Sequence, residues 1–259
     1  MTNDRPFEVI CEVEPATQPD LMKVRHQIGV LSRIASAFLI PDNHIGRATV
    51  SSIAVAHEVA LMGGRSIACL NARDRNLLGF RRDLLTAAAY GVDEFLFVYG
   101  DRPESGSRSD DLTVRSMIAE ARQFSASREL RTGPFRIGVS TGLAQLPAWK
   151  RDADVLFAQV AFSLDALLDW RASIEFDGPV YAGVMVVASA PMARKLTAEV
   201  PQLAVPAAVV ERLEADRTAG VELACELLEG IRASGAFDGV HLIPVGRYRE
   251  VAARLEAVR

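Results

Sequence analysis

Two hydrophobic periods exchange regularly along the 259 residues of this chain, and that exchange limits the fold more than any single motif. Short runs with strand character alternate with longer runs whose apolar residues recur at helical spacing. Strands are expected over residues 7–14, 35–40, 66–70, 94–99, 135–140, 155–160, 180–187 and 240–245. Helices are expected over 20–34, 50–61, 77–90, 111–125, 163–173, 191–200, 205–216, 220–233 and 248–257, with a short helical stretch near 145–150. Thr17 and Asp20 are spaced like an N-cap and its N3 acid, with Pro19 in the first turn. Gly91 closes the third helix.

Eight strands, each followed by helix, predict a parallel sheet. Eight such units in about 250 residues is the size of a closed (β/α)8 TIM barrel. The expectation is one barrel domain spanning residues 1–259. An open doubly wound sheet is disfavoured, because no strand runs into a GxGxxG turn at a helix start. Met62-Gly63-Gly64-Arg65 precedes a strand and reads as a helix stop.

The net charge of -4 and the scattered arginines give no electrostatic case for nucleic acid or an anionic membrane as partner. Cys11, Cys69 and Cys225 are too few and too widely spaced for a disulfide framework or a zinc site, and read as small buried apolar residues. No metal site is expected. The first residues lack the apolar stretch of a signal peptide, and no apolar run approaches the roughly 20 residues that cross a bilayer. The expected location is cytoplasmic.

In such a barrel the reacting groups stand where strands end. The first strand is the most informative. Glu8, Ile10, Glu12 and Glu14 share one parity, and Phe7, Val9, Cys11 and Val13 the other. The apolar set packs on helices, so the glutamates point inward. Burial there would raise a carboxyl pKa and suit it to donate a proton. Glu12 is the favoured acid. Glu14 reads equally as a rim residue, and Glu8 as half of an ion pair at the opposite end. Further polar candidates at strand ends are Asp42, Asn43, Asn71, Arg73, Asp74, Asn76, Asp101, Ser140, Gln159 and His241. Bland alternatives stand beside them. Asp42 and Asn43 suit turn capping, Asp74 a pairing with Arg73 or Arg75, and His241 a core position. His26 and His57 lie within helices and read as surface residues.

Four strand-end motifs resemble the methylenetetrahydrofolate reductase family. Glu12-Val13-Glu14-Pro15 looks like its Glu-Phe-Phe-Pro-Pro, and Gly100-Asp101-Arg102-Pro103 like its Arg-Gly-Asp-x-Pro. Ala158-Gln159-Val160-Ala161-Phe162 is similar to Thr-Gln-Phe-Phe-Phe, and the run from His241 to Arg247 (HLIPVGR) to His-Phe-Tyr-Thr-Leu-Asn-Arg. The resemblance implies that Glu12 supplies a proton, that Asp101 contacts the pterin and tunes the electron carrier, and that Gln159 binds the folate ring. Asp42, Asn43, Asn71, Ser140 and His241 join the substrate set. Arg73, Asp74, Asn76 and Phe162 are assigned to the cofactor.

The sequence also departs from the family. Pro41-Asp42-Asn43 replaces Thr-Tyr-Gly, Cys69-Leu70-Asn71-Ala72 replaces His-Leu-Thr-Cys, and Thr141-Gly142-Leu143-Ala144-Gln145 replaces Tyr-Pro-Glu-x-His. The family's lysine before strand six falls near Ala148, with Lys150 close by. Most of these positions serve the flavin in the family. The expected protein therefore resembles the short atypical reductases, taking hydride directly from NADH (or NADPH) onto 5,10-methylenetetrahydrofolate without FAD. The alternatives are a reductase that holds FAD through other residues, and a folate-binding accessory protein without turnover.

Overall fold

A computed structural model describes residues 6–128, 130–200 and 203–257. Its parallel strands are β1 (Glu8–Glu12), β2 (Ala37–Ile40), β3 (Ser66–Asn71), β4 (Glu94–Val98), β5 (Arg136–Thr141), β6 (Val155–Val160), β7 (Val180–Met185) and β8 (Gly239–Ile243). They pair in chain order, and β8 closes on β1 with His241 opposite Ile10. The helices are α1 (Met22–Leu31), α2 (Ser52–Leu61), α3 (Leu77–Tyr90), α4 (Val114–Ala126), α5 (Leu164–Ser173), α6 (Ala190–Glu199), α7 (Ala207–Ala215), α8 (Ala219–Ser234) and α9 (Tyr248–Glu256). This is the expected eight-stranded β/α barrel. Among the described residues, no helix is long and apolar enough to cross a membrane.

The period-two alternation sorts the side chains into two layers. One parity, including Val9, Cys11, Val13, Phe38, Ile40 and Leu70, packs outward against the helices. The other, including Ile10, Leu39, Ile67, Cys69, Leu96, Phe157 and Tyr181, fills the barrel as an apolar plug. Cys11, Cys69 and Cys225 are all buried.

Below the plug lies a charged floor. Arg65 reaches Glu8 at 2.5 Å and Glu94 at 3.2 Å, and Arg136 reaches Glu94 at 3.1 Å. The Tyr181 hydroxyl donates to Glu8. Two acids therefore meet two bases, and the partly buried charges are compensated. Glu8 belongs to this floor, at the opposite end from the strand termini.

Several element ends differ from the sequence expectation. α1 begins at Met22 after Leu21, with no side-chain cap. Thr17 does not cap it, and Asp20 accepts instead from the Met22 amide. β1 stops at Glu12, which leaves Glu14 exposed outside the sheet. Gln27 occupies both backbone groups of Glu14, accepting from its N–H and donating to its carbonyl. α4 starts later than residue 111, because Thr113 and Ser116 form a reciprocal capping box. The stretch near 145–150 is a short 3-10 turn, Ala148–Asp152. His57 is half-buried and stacks on Tyr90 at 4.6 Å, whereas His26 is exposed.

Burial, and then the hydrogen bond to Glu8, push the Tyr181 phenol up to about 12. Its stabilising contribution is complete below the unfolded tyrosine value near pH 10 and is lost as pH rises through the folded value. Ultraviolet titration of the folded protein should show one of its four tyrosines ionising about two pH units above an ordinary phenol. Tyr181→Phe should remove that step, and a high step that survives the substitution would contradict the floor geometry.

Candidate active site

The site is built at the carboxyl ends of the strands, above the plug. Glu12 continues the inward parity of Ile10, Asn71 that of Cys69, and His241 that of Gly239. Ser140 and Gln159 continue the inward sets of β5 and β6, with a register irregularity between Phe157 and Val160 beside Gln159. Five inward polar residues from five strands thus end on one face.

Glu12 and His241 are both about 9 % exposed, and His241 Nε2 lies 3.2 Å from Glu12 Oε2. That separation is an ion-pair distance, but the alignment is not that of a hydrogen bond, and Nε2 has no other partner. The edge of Phe157 packs against the imidazole at 6.0 Å between centroids. Cys69 lies within the field of the same site. Burial pushes its thiol pKa up, and the Asp42 and Glu12 carboxylates push it further.

A second polar group connects the loops after β2 and β3. Asp42 accepts from the Asn71 backbone amide at 3.0 Å and carboxamide at 2.8 Å, and from Arg75 at 2.6 Å. Arg75 also pairs with Asp83 at 3.1 Å. Asp74 accepts from Asn43 at 3.0 Å and Asn71 at 2.8 Å. Asp74 is therefore tied to two carboxamides, and the arginine pairing considered for it is taken by Asp42 and Asp83. Asn43 itself sits in the left-handed region at φ 48° and exchanges hydrogen bonds with Thr49, which fits the turn-capping reading.

Asp101 is exposed and accepts from the Ile45 amide at 2.9 Å. Ile45 is a β-branched residue at φ 59° and is 65 % exposed, an unfavourable backbone state that this contact helps to hold. The loops after β2 and β4 touch closely beside it. Gly46, at φ 71°, packs so near the Arg102 carbonyl that a Cβ would collide with it. Glu104 adds a backbone bond to Gly46 and an ion pair to Arg47 at 3.3 Å. Gly100, at φ 95°, leaves room for Asn71, since a Cβ would lie 2.9 Å from its side chain.

Other expected site residues stand elsewhere. Asn76 accepts from the Gly79 amide and caps α3, so its carboxamide is committed to the helix. Phe162 is half-buried against the cluster formed by Val187, Ala190, Ala193 and their neighbours near α6. Neither carries forward as a cofactor contact. Arg73 lies over the Tyr99 ring at 4.7 Å, and its Nε is buried without a partner. Lys150 donates to the Ser140 carbonyl at 2.7 Å, and burial lowers its pKa. Sequence reasoning missed the Asp42–Arg75–Asp83 chain, and of the floor it read only the Glu8 ion pair, which Arg65 supplies. The floor had a readable signal, because Glu8, Glu94 and Arg136 are each the first residue of a strand and Arg65 immediately precedes one.

The sequence profile of methylenetetrahydrofolate reductase matches residues 149–258. Over that C-terminal segment, less than half of its length, the chain is similar to methylenetetrahydrofolate reductase. The matched segment contains Gln159 and His241, while Glu12 and Asp101 lie before it. No curated protein matches the chain in sequence. Among solved structures, a Clostridium thermocellum protein that binds two copies of 5-methyl-5,6,7,8-tetrahydrofolic acid superposes with a TM-score of 0.65 at 11 % identity, covering 98 % of this chain and 97 % of that one. A long-chain alkane monooxygenase gives 0.55 at 10 % identity, with coverage of 100 % and 92 %. A 2,3-dimethylmalate lyase gives 0.54 at 16 % identity, with coverage of 99 % and 82 %. At these identities the likeness is one of fold.

The polar side chains at the positions where the sequence departs from the family are engaged within the chain itself. Asp42, Asn43 and Asn71 direct their polar atoms at one another and at Arg75, Asp74 and Thr49. The Thr141 hydroxyl is turned to the Gly142 carbonyl.

The two carboxylates at the mouth should differ in structural weight. Asp42→Ala is expected to cost about 2–4 kcal/mol, because a mostly buried Arg75 loses a partner. Asp101→Ala should cost under about 1 kcal/mol, the size of a single exposed hydrogen bond. Urea denaturation of both variants checks this, and equal losses would contradict the assigned networks.

Proposed function

We propose that this protein reduces 5,10-methylenetetrahydrofolate to 5-methyltetrahydrofolate with hydride taken directly from NADH or NADPH, without FAD. The buried Glu12 at the barrel mouth, with His241 against it, carries the reading. Convergent polar groups at the carboxyl ends of barrel strands are where ligands of this fold bind. Support comes from the family profile over the segment holding Gln159 and His241. It comes also from the shared fold of a protein described as a 5-methyltetrahydrofolate binder. The mutual engagement of Asp42, Asn43 and Asn71 favours the flavin-free version.

In this reading Gln159 hydrogen-bonds the pterin edge and Ser140 lines the same wall. Glu12 gives its proton to the ring nitrogen that leaves the bridging carbon, which opens the five-membered ring to an iminium ion. A nicotinamide held against that carbon would supply the hydride that leaves it as a methyl group. The chain's own task is to hold the reacting carbons close and to exclude water. The Asp101–Ile45 contact ties the β2–α2 and β4–α4 loops beside the mouth, and Ile45 offers an apolar surface there. Arg73, on the Tyr99 ring, and Asp74 remain the candidate contacts to the nicotinamide donor.

A second reading rests on the wording used for the Clostridium thermocellum neighbour, which speaks of binding rather than turnover. This chain would then hold a reduced folate for a partner enzyme.

The purified protein should lack the visible band of a flavin and should oxidise NADH or NADPH only when methylenetetrahydrofolate is present. Glu12→Gln should lower kcat by about 10²–10⁴-fold, the usual worth of a positioned acid. A stoichiometric flavin band would overturn the flavin-free version. Tight folate binding with no nicotinamide oxidation would favour the binding reading.

A further inference from the structure

We propose, resting on the reductase reading, that Glu12 and His241 form a dyad sharing one proton, and that His241 is a positioning residue that restores the proton Glu12 gives away. The two groups come from neighbouring strands of the closed barrel. His241 registers against Ile10, so its ring stands one inward step below Glu12. They are 3.2 Å apart, equally buried, and His241 Nε2 has no hydrogen-bond partner.

The surroundings leave the pair to itself. On β7 the residue beside His241 is Gly183, which contributes no side chain. On β6 the wall is Phe157. On β2 the residue opposite Glu12 is Leu39. On β3 the titratable neighbour is the Cys69 thiol, which burial and the nearby carboxylates keep protonated. Asp42 is the remaining acid near Cys69, and it is held by Arg75 and Asn71. No second base competes for Glu12 among these groups.

A buried carboxylate or a buried imidazolium alone would place net charge in the plug, which low polarity disfavours. A pair holding one proton avoids that in either arrangement, as acid with neutral imidazole or as carboxylate with imidazolium. During turnover the Glu12 O–H bond breaks as the N–H bond to the leaving ring nitrogen forms. The pair then carries one negative charge. Neutral His241 takes a hydrogen ion from solvent hydronium or a buffer acid, which is left as water or the conjugate base, and the imidazolium so formed faces the carboxylate. One proton is back in the pair, and no electrons have moved.

The test reads the imidazole directly. The chain has four histidines, His26, His44, His57 and His241, so each nitrogen-15 imidazole signal can be assigned by substitution of the other three if His241→Gln does not fold. The His241 ring-nitrogen signals should change in Glu12→Gln, because the group 3.2 Å from Nε2 is then a carboxamide and not a carboxyl. The other three should not move. Unchanged His241 signals would overturn the dyad. In turnover, His241→Gln should lower kcat at least tenfold with little change in folate KM, and should shift the pH dependence of kcat. A rise in KM with kcat intact would make His241 a substrate ligand and overturn its positioning role. Coupling seen in a protein that turns over no folate would fail the reductase reading while upholding the shared proton.

Discussion

Everything in this molecule depends on the alternation of side chains across a sheet that closes on itself. A closed parallel barrel has two apolar demands, one from the helices outside and one from its own interior. Because the outward parity satisfies the helices, the inward parity is free to change character along its length. Here it changes twice. It begins with ion pairs at the floor, passes through an apolar plug of Ile10, Leu39, Leu96 and Phe157, and ends in Glu12, Asn71, Ser140, Gln159 and His241. The plug separates two polar layers, and it gives Glu12 and His241 an apolar underside where charge is expensive.

The two polar layers are built on different logic. At the floor, Glu8, Glu94, Arg65 and Arg136 balance one another, with Tyr181 completing Glu8. That arrangement is closed and leaves little for a ligand. At the mouth the balance is incomplete. The Asp42–Arg75–Asp83 chain and the Asn43–Asp74–Asn71 bonds stiffen the loops after β2 and β3. Yet His241 Nε2 keeps a misaligned contact to Glu12, and Arg73 Nε has no partner. Polar groups that are buried and left short of partners are where a ligand's hydrogen bonds are worth most. The left-handed backbone at Ile45, fastened by Asp101, belongs to the same end of the barrel.

The sequence made the barrel legible because its two periods exchange cleanly and because each strand carries one consistently apolar parity. The inward direction of Glu12 followed from that parity in β1 alone. Element ends were less legible, since capping depends on local geometry. Thr17 looks like a cap but lies several residues before α1, while the Thr113–Ser116 box lacks the acidic residue usual at N3. The expected pairing of Asp74 with a neighbouring arginine failed because Arg75 reaches Asp42 and Asp83, and no spacing rule reveals a contact 33 residues distant in the chain. Asn76 and Phe162 had plausible positions after strand ends, but a helix amide and the α6 cluster claim them. The charged floor was visible in principle, as charged residues at the heads of strands, but its meaning appears only once the barrel closes and brings those heads together.

The central claim is that a reduced folate occupies the mouth between Glu12 and Gln159. Calorimetric titration of 5-methyltetrahydrofolate into wild type and Gln159→Leu tests it most directly. The account predicts saturable binding to the wild type and at least about tenfold weaker binding to the variant, the cost of one buried hydrogen-bonding group left without its partner. Equal affinity in the two proteins, or no binding to either, would contradict it.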